Sequence, residues 1–224
     1  MPLSAVPTKL LGAELSPEEL VHYCQQTLPE DSRGFELLVA RYKGLVFKTA
    51  YRLMGNREDA DDQAQEIFLK IYRGIRHIDN PRSLTTWVYR ITVNTCLDAL
   101  RKEKRNPLPA FRSTRDTPED ERGEIELRDT RTPTPEEAVV QSETIQCLEE
   151  TMAQLEPTNR AILTLREIED RPYDEIAKIL DLRLSAVKMR IHRARLLFQQ
   201  LLGRICPDLY RYLSESTDRN QLGG

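Results

Sequence analysis

The sequence predicts an all-α protein of two small helical domains joined by a flexible acidic linker, with a helix-turn-helix in the C-terminal domain. Apolar residues recur with the 3.6-residue period of an amphipathic helix along most of the chain. Only 6% of the residues are aromatic, and 9 glycines and 13 prolines are too few for the many turns of a β-sandwich or barrel. The helical period disappears near the middle of the 224 residues, and this break separates the two domains.

Composition argues against several classes of protein. The start of the chain, Met1 to Leu15, lacks the basic residues and long apolar run of a signal peptide. No segment reaches the roughly 20 apolar residues that a membrane span requires, so a cytoplasmic protein without a membrane span is expected. No metal or other cofactor is expected, because the three histidines lie far apart in the sequence. The cysteines are expected to be free buried thiols in a reducing cytosol; they are Cys24, Cys96, Cys147 and Cys206.

Four helices are predicted in the first domain, residues 31–105, together with the extension before it, residues 1–30. A serine, a proline and a glutamate at the spacing of a capping box mark the start of the first helix. The pair Gly55-Asn56 ends the second helix with residues suited to a left-handed cap. The approximate predicted bounds are Ser16–Thr27, Asp31–Gly55, Glu58–Arg73 and Ser83–Lys104.

Residues 106–137 are predicted to form the flexible acidic linker. Prolines recur along this segment, and few apolar residues are available to form a buried face. Between Asp116 and Ala138, nine acidic and three basic residues give a local charge of −6. A segment of low hydrophobicity with one dominant charge sign cannot bury enough surface to offset the entropy that ordering costs.

The second domain, residues 138–204, is also predicted to be helical and to be followed by a tail, residues 205–224. The end of this tail, from Ser214 to Gly224, is polar and is expected to be frayed. The approximate predicted helices of the domain are Ala138–Leu155, Pro157–Ile168, Tyr173–Leu180 and Ser185–Leu202.

The last two of these helices have the pattern of a helix-turn-helix. Ile176, Ala177 and Leu180 form the apolar face of the first helix, and Ala177 is small where the second helix must cross closely. Leu182 is expected to fill the turn, and Ser185 is expected to cap the second helix.

The second helix of this motif is strongly basic, with five basic residues and no acidic residue between Ser185 and Arg204. Arginine and lysine neutralise DNA phosphates, and side chains near the start of such a helix reach base edges in the major groove. A basic face that is merely solvated is the alternative. The candidate DNA contacts are Arg183, Ser185, Lys188, Arg190, Arg193 and Arg195.

The third predicted helix is unusually acidic. Carboxylates in the first turn stabilise the helix dipole, which accounts for the earliest of them. Asp62 and Glu66 lie further in, where like charges at i, i+4 cost stability, so this surface is expected to face a basic partner. Catalysis or a metal is disfavoured, because no histidine or second acidic cluster completes a site. The candidate partner-binding residues are Asp59, Asp62, Gln65, Glu66 and Leu69.

The fourth predicted helix has a polar face that is suited to single-stranded DNA. Arg90, Asn94 and Arg101 recur at i, i+4 and i+11, so they lie on one face, and Trp87 precedes them by one turn. Basic grooves with stacking or polar side chains hold unpaired bases in this way. Whether Trp87 stacks on a base or anchors the core is left open by the sequence.

Three stretches resemble the extracytoplasmic-function (ECF) subfamily of bacterial RNA polymerase sigma factors. Region 2.2 of that subfamily is similar to D-A-x-D-x-x-Q-E-I-F-L-K-I-Y, which starts at Asp59. Regions 2.3 and 2.4 are similar to T-W-V-Y-R-I-x-x-N, which starts at Thr86, and region 4 characteristically contains V-K-x-R-I-H-R-A-R, which starts at Val187.

The resemblance implies a non-enzymatic factor that binds core RNA polymerase and directs promoter-specific transcription initiation. In the subfamily, region 2.2 grips the coiled coil of the β′ subunit, and region 4 binds the −35 element and the β flap. Regions 2.3 and 2.4 melt the −10 element and capture a flipped base. Many members are held inactive by an anti-sigma factor, which is therefore a further candidate partner. By position, the implied −10 residues are His77, Asp79, Asn80, Arg82, Ser83, Trp87, Arg90, Asn94 and Arg101.

The main alternative is a helix-turn-helix activator or repressor, with the first domain as a sensor or dimerisation module. A repressor needs neither the acidic third helix nor the motif from Trp87 to Asn94. An enzyme is disfavoured further, because the sequence has no phosphate loop, nucleophile elbow or metal-spaced cluster.

Overall fold

The structure, a computed structural model, describes residues 15–105 and 135–221. Every regular element within these ranges is a helix or a helical turn, which confirms the predicted all-α class. None of the helices in the same two ranges is long and apolar enough to cross a membrane. The chain divides into two compact units.

The first domain contains four helices whose bounds agree with the predicted ones to within two residues. Two short 3-10 turns, Ile75–His77 and Pro81–Ser83, occupy the connection between the third helix and the fourth, where the sequence predicted a loop. The helices are α1 (Pro17–Thr27), α2 (Arg33–Met54), α3 (Arg57–Gly74) and α4 (Leu84–Arg105).

Helix α1 begins with the predicted capping box. The Ser16 hydroxyl accepts a hydrogen bond from the Glu19 backbone N–H at 3.2 Å, and the Glu19 carboxylate accepts one from the Ser16 N–H at 2.8 Å. Leu20, Val21 and Cys24 bury the inner face of the helix. A Cβ at Gly34 would lie 2.5 Å from the Tyr23 ring, so glycine is what allows α2 to start so close to α1.

The core of the first domain is formed by the apolar stripes of α2, α3 and α4. The apolar stripe of α3 is largely buried, with Ala60, Ile67 and Ile71 inaccessible to solvent. The Phe35 ring meets the Tyr72 ring edge-on, with 5.0 Å between the ring centroids. Each large apolar side chain buried in this way stabilises the fold by about 1.5–3 kcal/mol, which holds the helices together without a covalent crosslink.

The second domain contains five helices and one π-helical turn within the described residues. Helix α7 has the predicted bounds, and the π-helical turn Thr164–Ile168 completes the segment that was predicted as one helix to Ile168. The helices are α5 (Pro135–Gln154), α6 (Pro157–Leu163), α7 (Tyr173–Leu180), α8 (Leu184–Ile205) and α9 (Pro207–Gln221).

Both ends of the second domain differ from the prediction. Helix α5 begins at Pro135, so residues 135–137 are helical and do not belong to a linker. The remainder of the predicted linker, residues 106–134, lies outside the described residues. Residues 207–221 of the tail form α9, so the expected fraying was wrong as far as Gln221, and residues 222–224 lie outside the described residues. Pro207 is well placed at the first position of α9 because a proline there sacrifices no helical hydrogen bond.

Two of the cysteines form a disulfide bond, so the expectation of four free thiols was wrong. Cys147 of α5 is bonded to Cys206, which joins α8 to α9, and their Cα atoms lie 6.3 Å apart. Packing of α5 against α8 brings the two cysteines together although they lie 59 positions apart in the sequence. No local cysteine motif could therefore predict the bond. Cys24 and Cys96 are free and buried, and burial raises their thiol pKa values to about 11 and about 12, which keeps both protonated.

Candidate polymerase and promoter surfaces

The acidic surface of α3 consists of Asp62, Gln65, Glu66 and Leu69. Asp62 and Gln65 are exposed, Glu66 is partly exposed, and half of the Leu69 side chain is accessible. The Lys70 ammonium lies 3.9 Å from the Glu66 carboxylate, and a solvated pair at this distance neutralises little charge. The surface therefore combines an unburied apolar side chain with carboxylates, a combination that suits a partner carrying basic and apolar groups.

Asp59 occupies a different position from the rest of the predicted set. The Asn56 side chain caps α3 by accepting a hydrogen bond from the Asp59 backbone N–H at 2.8 Å. The Asn56 amide also donates to the Asp59 carboxylate, and Asp59 is partly buried. Its carboxylate is thus engaged at the start of α3, whereas Asp62 and Gln65, about one and two turns further along the same helix, are exposed to solvent.

The segment from Ile75 to Ser83, here named the reading segment, connects α3 to α4. His77, Asp79, Asn80 and Arg82 are exposed, and the Ser83 hydroxyl donates to the Asn80 carbonyl oxygen at 2.8 Å. The Ser83 backbone N–H donates to the same oxygen at 3.1 Å, which closes the second 3-10 turn. The segment therefore exposes polar side chains, and hydrogen bonds within its second 3-10 turn fix the backbone there.

Trp87 lies at the junction of α3 and α4. A Cβ at Gly74 would be 2.9 Å from the indole ring, so the ring packs directly on the backbone of Gly74. The side chain is partly exposed, and it therefore both contacts the end of α3 and keeps a face accessible. Arg90, Asn94 and Arg101 are exposed, as their predicted spacing on one polar face requires.

The reading helix of the second domain, α8, follows α7 through a tight turn. Asp181 has a positive φ of 53°, the left-handed conformation that ends α7, and Leu182 is partly buried. The N-cap of α8 is Arg183, with no side-chain capping bond, so the expectation that Ser185 caps this helix was wrong. The helix starts one residue earlier than predicted, which places the exposed Ser185 in its first turn.

The cations of α8 are not equivalent. Arg183, Lys188 and Arg193 are exposed and Arg190 is partly exposed. The Arg195 guanidinium instead donates to the Glu167 carboxylate at 2.7 and 3.0 Å, and this bond raises the pKa of Arg195. This ion pair holds α8 against the π-helical turn. Because the Glu167 carboxylate already pairs with the Arg195 guanidinium, Arg195 is less available to DNA phosphates than the neighbouring cations are.

Two apolar residues on α8 were missed by sequence reasoning. Leu184 is 45% exposed and Met189 is 54% exposed, although both sit among the candidate DNA contacts. For Met189 the signal was present in the sequence, since it lies on the opposite side of α8 from the stripe of Val187 and Ile191 that faces the core. Leu184 has the spacing of that stripe, so periodicity alone did not predict its exposure. Apolar side chains at the start of a reading helix suit the methyl group of thymine.

Two family descriptions match the chain. Sigma-70 region 2 matches residues 38–106, and Sigma-70, region 4 matches residues 145–197. The RNA polymerase sigma-H factor of Pseudomonas aeruginosa is 34% identical over 165 residues, which cover 74% of this chain and 84% of that protein. The ECF RNA polymerase sigma-E factor of Haemophilus influenzae is 34% identical over 185 residues, or 83% of this chain and 94% of that protein.

The chain belongs to the extracytoplasmic-function sigma factors. As a sigma factor it binds core RNA polymerase and promoter DNA and directs promoter-specific initiation, without chemistry of its own. The acidic surface, the reading segment and α4 lie within the region 2 match, and the first half of α8 lies within the region 4 match. Helices α1 and α9 lie outside both matches.

Two solved structures share the fold. The structure of CnrH in complex with the cytosolic domain of CnrY aligns with a TM-score of 0.56 at 23% identity, covering 84% of this chain and 97% of that one. The sigma factor RpoE in complex with the anti-sigma factor NepR, from Bartonella quintana, aligns with a TM-score of 0.56 at 18% identity, covering 75% and 96%.

Proposed function

We propose that this sigma factor divides its work among three surfaces. The acidic surface of α3 binds the β′ coiled coil of core polymerase, the reading segment with the polar face of α4 opens the −10 element, and the start of α8 reads the −35 element. In this division residues 31–105 act as region 2, residues 135–204 act as region 4, and residues 106–134 join them. The observation that carries the proposal is that each exposed patch has the charge that its own partner requires.

Polymerase binding is assigned to Asp62, Gln65, Glu66 and Leu69. Leu69 supplies apolar area, and the carboxylates select a basic partner, because complementary charge steers association and fixes its register. We assign Asp59 a supporting role, because its carboxylate accepts a hydrogen bond from the Asn56 amide and so keeps the start of α3 in place.

Opening of the −10 element is assigned to the reading segment and α4. Exposed Arg90 and Arg101 hold phosphates of the separated strand, and Asn94 offers an amide to a base. The exposed tips of the reading segment, His77, Asp79, Asn80 and Arg82, surround the base that leaves the stack. The partly exposed Trp87 closes the site from the α4 side.

Binding of the −35 element is assigned to the first three turns of α8. Arg183, Lys188 and Arg193 contact phosphates or base edges, and Ser185 and Arg190 contribute from the same end of the helix. Arg195 contributes least, because its guanidinium is already bonded to Glu167. The domain also docks on the β flap.

Two further parts of the proposal concern the cell. The protein acts in the cytoplasm, where core polymerase and the chromosome are found. An anti-sigma factor is a partner as well, a proposal supported by the two similar folds that were solved in complexes, one of them with a protein named as an anti-sigma factor. Co-purification of one stoichiometric partner from the native host, lost at high salt, tests this point.

Paired variants with matched controls test the division of labour. The Lys188→Ala, Arg193→Ala variant should weaken promoter binding by the holoenzyme by about 10-fold or more and reduce the slope of log affinity against log salt by about 2. Its affinity for core polymerase should not change. Arg204→Ala, an exposed cation at the other end of α8, is the control and should leave both affinities unchanged.

The reciprocal variant is Asp62→Ala, Glu66→Ala. It should weaken core polymerase binding, measured by fluorescence anisotropy, while Glu58→Ala on the same helix should not. Run-off transcription then reports the combined outcome, because both paired variants should lose specific transcripts for different reasons. If both variants lose core binding and promoter binding together, the three surfaces do not act separately.

A further inference from the structure

Helix α1 makes side-chain contacts with the reading segment, although it lies outside the matched region 2. We propose that Gln25 of α1 is a positioning residue that holds the reading segment in the conformation that captures a −10 base. This inference rests on the proposed function of that segment and adds a residue that touches no DNA.

The contact is made by one amide group and two carbonyl oxygens. The Gln25 Nε2 atom lies 3.3 Å from the Ile75 carbonyl oxygen and 3.2 Å from that of Ile78. A primary amide has two N–H donors, so it can serve one oxygen with each. Because the two carbonyls bracket the first 3-10 turn, a single side chain fixes both ends of that turn.

A second side chain of α1 reaches the far end of the segment. The Arg82 guanidinium lies 3.4 Å from the Glu18 carboxylate. Glu18 and Gln25 are seven residues apart, or two helical turns, and therefore lie on the same face of α1. The ion pair is exposed and contributes little by itself, so Gln25 is the stronger of the two attachments.

The second 3-10 turn is closed by the bonds of Ser83 to Asn80, but the first part of the segment has few attachments of its own. Ile75 is fully buried and anchors the start, and Leu84 is fully buried at the first residue of α4. Between these anchors, His77, Asp79 and Asn80 are exposed, and the Ile78 N–H donates to the Ile75 oxygen at a long 3.4 Å. Without Gln25, the first turn would be held mainly by this one weak hydrogen bond.

Order in this segment matters because base capture requires a formed pocket. A flexible loop must lose backbone entropy when it binds, about 1–2 kcal/mol for each residue that becomes fixed. A side chain that orders the loop beforehand lowers this cost and thereby favours the opened promoter over the closed one. Loss of Gln25 should therefore affect opening and base preference, and should leave the other two surfaces unaffected.

A purely structural role for Gln25 makes a different prediction. If the amide only satisfies two partly buried carbonyls, its loss lowers the stability of the first domain and reduces transcription from all promoters alike. If it positions the segment, the ranking of promoters that differ only in the −10 element changes. The ratio of activities on two −10 sequences is therefore the decisive measurement.

The experiment compares Gln25→Met with Gln26→Met in the full-length protein with core polymerase. Methionine keeps the length of glutamine and removes both donors. Gln26 is exposed, and its amide lies 2.7 Å from the His22 ring and not near the reading segment, which makes it a matched control. Promoters share one −35 element and vary at each −10 position, and opening is followed by permanganate reactivity of unpaired thymines.

We expect Gln25→Met to reduce opening of the preferred promoter by about 5- to 10-fold, the effect of losing two ordinary hydrogen bonds. Preference among −10 variants should be compressed by a similar factor, and affinity for core polymerase should stay within twofold. Gln26→Met should match the unsubstituted protein in every respect. An unchanged −10 ranking with Gln25→Met would overturn the inference.

Two further outcomes keep the result interpretable. Should Gln25→Met fold poorly, as judged by Trp87 fluorescence, Gln25→Glu keeps a polar side chain of the same length, removes both N–H donors when it is ionised, and should compress the −10 ranking by a similar factor. An unchanged ranking with Gln25→Glu then overturns the inference. If the unsubstituted protein shows no −10 preference at all, the proposed function of the reading segment fails, an outcome distinct from a failure of Gln25 alone.

Discussion

The two domains support their candidate DNA-binding residues in different ways. In the first domain, the reading segment and α4 carry these residues, α1 and the end of α3 support them, and apolar packing holds the four elements together without a crosslink. In the second, the candidate residues lie on or directly beside a single helix, α8, which a disulfide ties to α5 and an ion pair ties to the π-helical turn.

This difference indicates where each domain is sensitive to change. A surface assembled from several elements depends on residues that are remote from DNA, such as Gln25 and Gly74. A surface carried by one long helix depends on that helix and on whatever keeps the helix in its domain. Substitutions that leave the DNA-facing residues intact should therefore disturb −10 reading more readily than −35 reading.

The largest expected effect is the loss of the Cys147–Cys206 bond. A crosslink between residues 59 positions apart restricts the unfolded chain, so Cys147→Ser should destabilise the second domain by about 4 kcal/mol. Hydrogen exchange resolved by mass spectrometry should show faster exchange in α5 and α8 but not in α2. Dithiothreitol should reproduce the effect in the unsubstituted protein and add nothing to the variant. Equal loss of protection in both domains would contradict the comparison.

A second change tests the buried guanidinium of the same domain. Arg160 is 8% exposed, and its Nη2 atom donates to the Ala153 carbonyl oxygen at 2.6 Å, which ties α6 to the end of α5. Arg160→Met leaves that oxygen without its charged donor and should cost about 2 kcal/mol of stability. Thermal unfolding followed by circular dichroism measures the loss. Trp87 fluorescence, which reports only on the first domain, should show an unchanged transition.

The contact between Gly74 and Trp87 tests the first domain at a position remote from DNA. A Cβ at residue 74 would lie 2.9 Å from the indole, so Gly74→Ala should displace Trp87 and shift its emission. Promoter opening should fall severalfold while core binding is retained. Gly44→Ala is the matched control, because no atom of the described part of the chain lies within 4 Å of a Cβ there, and it should stabilise α2 by up to about 1 kcal/mol.

The smallest expected effect is a gain in stability that both domains should share. The hydroxyls of Thr49 in α2 and Thr164 in the π-helical turn are buried and have no hydrogen-bond partner among the residues that the structure describes. Replacing either threonine by the isosteric valine removes an unsatisfied polar group and should stabilise its domain by about 1 kcal/mol. Denaturant midpoints measured domain by domain check this, and destabilisation by Thr49→Val would mean that the hydroxyl does have a partner.

Local signals in the sequence were sufficient for most helices. The capping box at Ser16, the left-handed Gly55 and the bounds of α7 follow from patterns that are complete within a few residues. The start of α9 had such a signal too, since Pro207 and Asp208 are typical of a first helical turn. The polar composition of the tail obscured it.

Tertiary contacts account for what the sequence did not predict. The Cys147–Cys206 bond and the contact of Gln25 with the reading segment join residues 50 or more positions apart, and no local motif marks either. The engagement of Arg195 with Glu167 is of the same kind, because charge counting along α8 treats all its cations alike. The exposed residues of the α3 surface were easier to identify, since helical periodicity alone determines which face they occupy.

The most direct test of the central claim maps the 5′ ends of transcripts made by core polymerase with this protein on a genomic DNA template. Addition of the protein should create starts downstream of promoters that share a −10 and a −35 sequence. Lys188→Ala with Arg193→Ala should weaken the shared −35 sequence, and Gln25→Met should weaken the shared −10 sequence. Starts that are the same with and without the protein would contradict the account.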